Sequence, residues 1–110
     1  MKTEIKLTAD AIITLDRFLQ RVYESVVTSK ESRITLSIAF DVAEKVGTKA
    51  RGLIKKQSLF DTKKKHKISF KYHEAWALEQ IIRSMPEPFN NVYQNSMLTN
   101  IANIINQKLA

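Results

Sequence analysis

A short alternating stretch that runs straight into an amphipathic helix occurs twice in this chain, and that repetition narrows the available folds more than any other feature. Ile5 and Leu7 alternate with Glu4 and Lys6, the pattern of a strand over 4–7 with one covered face. Thr8 follows as a helix N-cap, and Asp10 falls in the first turn, where the helix dipole favours an acid. Ile12, Leu15, Leu19, Val22 and Val26 then recur at three- and four-residue steps with Phe18 beside them, which predicts a helix over 9–27. Further on, Ile68, Phe70 and Tyr72 alternate on one side of a second strand over 67–71. Ala75, Leu78, Ile81, Ile82 and Met85 predict a helix over 72–85, ended by Pro86 and Pro88. Ile5, Leu15, Phe18 and Leu19 map onto Ile68, Leu78, Ile81 and Ile82 at a constant offset of 63, and Asp16 maps onto Glu79.

Each strand and helix is followed by a break and a second helix. Ile34, Ile38, Val42 and Val46 repeat every four residues, predicting a helix over 31–46, with Leu36, Ala39, Phe40 and Ala43 widening its apolar surface. Gly47 is placed to stop it, Thr48 to begin a short helix over 48–57, and 58–66 to form a loop. Val92, Leu98, Ile101, Ile105 and Leu109 mark a last helix over 90–108, whose other face carries Asn91, Asn95, Asn103 and Asn106. The expected fold is mainly α with a short two-stranded β-ribbon (α+β), in the order β-α-α-β-α-α. It forms one domain over 1–110, with halves 4–46 and 67–109 joined by the basic segment 48–66. If a two-fold axis relates the halves, the strands pair antiparallel and the helices cover one face; the alternative is similar local architecture without duplication. The other face and both ribbon edges are left open, and a homodimer is expected to close them.

What is missing excludes whole classes of chemistry. Without cysteine there are no disulfides, thiol nucleophiles or cysteine-based metal sites. The chain starts Met1-Lys2-Thr3-Glu4 with no apolar run of signal-peptide length and no stretch of membrane-spanning length, so a cytoplasmic protein is expected. The two histidines, His66 in a lysine run and His73 at a helix start, have no acid–base partner at useful spacing. Glu74 follows His73 directly, about 100° round a helix, and the second histidine of a zinc-protease motif is absent. Gly47 and Gly52, the only glycines, make no phosphate-cradling loop. No enzyme activity, cofactor or metal is expected. Trp76, aligned with Ile13, is expected in the core. Phe70 and Tyr72 are expected on the covered side of their strand rather than exposed for stacking on bases.

The charge points to function. The net charge is +7, and residues 49–67 account for all of it: Lys49, Arg51, Lys55, Lys56, Lys63, Lys64, Lys65 and Lys67 stand against Asp61 alone. So concentrated an excess makes a local positive potential suited to phosphate or to an acidic protein. Around it, Ala43, Gly47 and Leu53 have the spacing of a helix-turn-helix, whose second helix would present Lys49, Arg51, Lys55 and Lys56. Thr48 at a usually apolar position, Lys56 where a core contact belongs, and Gly52 inside the helix depart from that pattern. The alternative is a glycine-capped helix followed by a solvated connector. Of the residues suited to base readout, only Arg51 and Gln57 accompany the lysines, which favours non-specific binding. The lead-in Lys67-Ile-Ser-Phe-Lys-Tyr-His-Glu-Ala-Trp-Ala-Leu resembles one in short uncharacterised proteins of Bacteroidetes and of their mobile elements or phages, a resemblance that implies no activity. The expectation is a basic module contacting nucleic acid without sequence readout. The alternative is a structural or assembly component that binds protein.

Overall fold

The alternating segments pair with each other. In a computed structural model, which describes residues 2–24, 33–55, 64–85 and 87–109, β1 (Lys2–Thr8) and β2 (Lys65–Lys71) form a two-stranded antiparallel ribbon. Its ladder runs from Lys2 opposite Lys71 to Thr8 opposite Lys65, with Ile5 opposite Ile68 at its centre. Directly opposed residues share a face. The inner face therefore holds Thr3 with Phe70, Ile5 with Ile68, and Leu7 with His66. Ile5, Leu7, Ile68 and Phe70 are buried there.

Each strand passes directly into a helix: α1 (Ala9–Glu24) after β1 and α3 (Tyr72–Ser84) after β2. Thr8 caps α1 by accepting the Ala11 N–H at 3.3 Å. Both strands and both helix starts keep the offset of 63. The second helices, α2 (Arg33–Lys55) and α4 (Val92–Leu109), start 59 apart and differ in length. In the packing, α1 lies on α2 and α3 on α4, α2 on α3 and α1 on α4, with α2 flanking β2, α4 flanking β1 and α3 also reaching β1. Ile12, Leu15, Phe18 and Leu19 of α1, Val42 and Val46 of α2, Leu78 of α3, and Ile101 and Ile105 of α4 fill the core between the ribbon and the helices.

Gly47 does not end a helix. α2 runs unbroken through it to Lys55, so the short helix over 48–57 and the turn required by a helix-turn-helix are both absent. Neither glycine has positive φ. Gly47 is instead a place of close approach: a Cβ there would lie 3.3 Å from Asp16 Oδ1 of α1 and 3.3 Å from Arg51 Nη1. The spacing read as a turn thus marks where α2 crosses α1. The basic segment is correspondingly not a connector throughout: residues 48–55 complete α2, and 65–66 open β2. Residues 58–63 of the expected loop lie outside the described residues.

Two aromatic residues also differ from expectation. β2 ends at Lys71, so Tyr72 opens α3, leaves the strand's alternation and is 50 % exposed. Trp76, one turn on, is 50 % exposed rather than in the core. The buried stripe of α3 runs through Ala75, Leu78 and Ile82, which puts Trp76 on the outer side. Its counterpart Ile13 is itself only partly buried, so this register position lies at the rim in both halves. Phe70 is fully buried, as a covered strand requires.

The passage from α3 to α4 is held by side chains. Asn95 accepts the Phe89 N–H at 3.0 Å and donates to the Phe89 carbonyl at 2.8 Å. The Arg21 guanidinium sits 4.7 Å from the buried Phe89 ring and donates to the Pro88 carbonyl at 3.0 Å. Asn91 accepts the Gln94 N–H at 3.0 Å, the geometry of an N-cap, so α4 begins at Val92 instead of residue 90.

A glycine inside a helix costs roughly 0.5–1 kcal/mol relative to alanine. No heavy atom outside its own helix turn lies within 4 Å of the Cβ position at Gly52. Gly52→Ala should therefore raise stability by about that amount, read as a higher denaturant midpoint at constant slope. Gly47→Ala should gain less, because Asp16 and Arg51 must move aside.

Candidate nucleic-acid interface

Five lysines share the outer face of the ribbon. Because strand side chains alternate, the residues between the buried ones all point the other way: Lys2, Glu4, Lys6 and Thr8 from β1, and Lys65, Lys67, Ser69 and Lys71 from β2. The register sets Lys2 directly across from Lys71 and Lys6 directly across from Lys67. All five lysines are exposed. The one acid among them, Glu4, meets Lys67 at 3.6 Å, and both side chains are more than half exposed. Such a pair is weak and salt-screened, so it leaves the face strongly positive.

Beside this face, where α2 flanks β2, lies an open cleft of about 440 Å³. Lys45 and Lys49 from α2 line it, with Lys64, His66, Lys67 and Ser69 from the other wall. Lys49 and Lys45 are one helical turn apart, so they point the same way. Lys45 is committed to the fold: its ammonium donates to Glu74 Oε1 at 2.9 Å and lies 5.6 Å from the centre of the Phe70 ring.

Glu74 is the buried carboxylate behind the basic surface. It stands in the first turn of α3, where an acid suits the dipole, and reaches back to accept the Lys71 N–H at 2.7 Å. Burial alone would raise its pKa. The hydrogen bonds from Lys45 and from the Lys71 backbone, with the charges of both lysines, outweigh burial and hold it below its usual value near 4.5. On the far side of α3, buried Glu79 pairs with Arg83 at 3.0 Å, and Arg83 donates to Asn103 of α4 at 3.2 Å.

The basic residues named from the sequence separate in space. Lys49, Lys64 and Lys67 meet at the cleft, and Lys65 and Lys67 stand on the ribbon face. Arg51 is exposed, does not line the cleft, and donates to Thr48 Oγ1 at 3.3 Å. Lys55 is the last residue of α2. Lys56 and Lys63 lie outside the described residues. Lys2, Lys6, Lys71 and Lys45, which lie outside the basic run 49–67, complete the surface. A larger depression of about 570 Å³ at the start of α4 is lined mainly by asparagines, Ser96 and Thr99, with Glu87 at its edge. Among the described residues, no group of His, Cys, Asp or Glu side chains is arranged to hold a metal ion. None of the described helices is long and apolar enough to cross a membrane. Comparison with family models, with curated proteins and with solved structures returned no match.

Glu74 makes stability depend on pH. Its pKa is lower in the folded chain than in the unfolded one, so its contribution is present above the unfolded value and is lost as pH falls through the folded value. Glu74→Gln should cost about 1–2 kcal/mol at neutral pH. The gap between the native chain and this variant should narrow as the pH drops below about 4.5, which thermal melts across the range would read directly.

Proposed function

We propose that this protein is a small non-enzymatic module that binds nucleic acid through phosphate contacts, without reading sequence. The observation that carries this reading is the gathering of Lys2, Lys6, Lys65, Lys67 and Lys71 on one open ribbon face, with Glu4 the sole acid there. Lys49 and Lys64 extend the positive surface along the adjoining cleft. Lysine is a compact point charge with donors only, suited to phosphate oxygens and poorly suited to discriminating bases. Arg51, the residue best suited to guanine, stands apart from this surface.

If these lysines touch phosphates, each contact releases condensed counterions. Affinity should then fall linearly in log[salt], with a slope near −0.9 per contact on duplex DNA. Four to six contacts would weaken binding by roughly two to three orders of magnitude between about 50 and 200 mM salt. Changing Lys65 and Lys67 to glutamine should flatten the slope and weaken all sequences alike. Fluorescence anisotropy on random-sequence strands checks this. Absence of binding at low salt and tens of micromolar protein would refute it.

A second reading, a structural or assembly component that contacts protein, is favoured by one observation. Tyr72 and Trp76, a turn apart on α3, each leave half their surface open. A homodimer through that exposed aromatic surface belongs to this reading. Sedimentation giving the monomer mass of 12.7 kDa at micromolar concentration would remove the homodimer.

A further inference from the structure

The geometry points to duplex DNA as the ligand, with the ribbon's outer face lying in the major groove. This rests on the nucleic-acid reading above and names its substrate class. A seven-residue ribbon extends about 20 Å, and its two strands lie about 4.8 Å apart. The major groove, about 12 Å wide, admits a two-stranded ribbon. Paired strands also carry a strong right-handed twist.

The side chains on that face sort as such a placement requires. The crosswise pairs Lys2–Lys71 and Lys6–Lys67 set two ammonium groups side by side on the face turned into the groove, at two levels about 13 Å apart. Between them lie only Glu4 and Ser69, and neither is bulky enough to hold the ribbon off the floor. No aromatic residue stands on the face. Single-strand binders rely on aromatic platforms for stacking bases, and here Phe70 is buried on the opposite face. Of the exposed rings, Tyr72 and Trp76 belong to α3 and not to the ribbon.

The arrangement also works against the free protein. Like charges directly opposite on a ribbon are destabilising, and this ribbon has two such pairs. Phosphates on both walls convert that repulsion into attraction. Glu4 has the opposite character: it relieves Lys67 in the free protein and faces phosphate in the complex.

The test compares a short random duplex with its separated strands, by anisotropy at one salt concentration. The duplex should bind at least about tenfold tighter. Methyl green, which occupies the major groove, should displace the protein, and distamycin, which occupies the minor groove, should not. The double variant Lys2→Gln, Lys6→Gln should lose affinity, and its salt slope should fall by about 1.8. Its melting temperature should hold or rise, which separates lost contacts from lost folding. Glu4→Gln should bind tighter. Equal or better binding to single strands, displacement by distamycin alone, or a double variant that binds like the native chain would overturn the major-groove placement while leaving nucleic-acid binding in place. No binding to either form would overturn both, and the lysines would then be guards against edge-to-edge association of the ribbon.

Discussion

The pairing of β1 with β2 is the constraint on which the rest of the molecule depends. It joins segments 63 residues apart, and its central pair, Ile5 and Ile68, consists of the two positions that the sequence offset equates. A one-residue slip would turn the shifted strand's apolar pair, Ile5 and Leu7 or Ile68 and Phe70, outward and its lysines inward. Burial of the apolar set therefore fixes the placement of the basic set. An isolated hairpin-sized ribbon is marginal in water, so the helices that cover its inner face stabilise it, and the ribbon in turn sets where those helices start.

Two polar contacts tie the basic surface to this frame. Glu74 accepts both from the start of α3 and from Lys45 of α2, so one buried carboxylate fixes the angle at which α2 passes the ribbon. A buried carboxylate deprived of its partner is costly, which makes Lys45 a structural cation standing among the lysines proposed to bind. Gly47, two residues along, allows α2 and α1 to approach, and it does so within a continuous helix. The cleft beside β2 is therefore held by core packing on one side of α2 and by an ion pair on the other.

The sequence made the ribbon, the buried stripes and the order of elements legible, because each is written in local periodicity. It misled at Gly47, since a glycine that ends a helix and a glycine that admits a neighbouring helix look alike until the neighbour is known. It misled at Trp76 for a related reason: a large apolar residue beside a helical stripe reads as core, whereas the angle to the stripe decides the matter. The basic surface was half legible. Counting charge along the chain finds Lys49, Lys64, Lys65 and Lys67, but it cannot find Lys2 and Lys6, which come from the other end of the pairing. Lys71 sits four residues beyond the run, where alternation marks it only as the polar side of a strand.

The placement of charge on this ribbon is not what stability alone would select. Opposite charges across a strand pair stabilise and like charges oppose folding, and an alternating strand can take any polar residue on its solvent face. Here the solvent face sets lysine against lysine twice, whereas the buried carboxylates Glu74 and Glu79 each meet a cation, Lys45 and Arg83, at contact distance. Complementary charge thus holds the fold, and on the solvent face one weak exposed contact, Glu4 with Lys67, is set among the facing lysines. Surface lysines that only keep a protein soluble need no mutual alignment. Lysines brought into facing pairs along a ribbon narrow enough to enter the major groove support the proposed duplex ligand more than the net charge does.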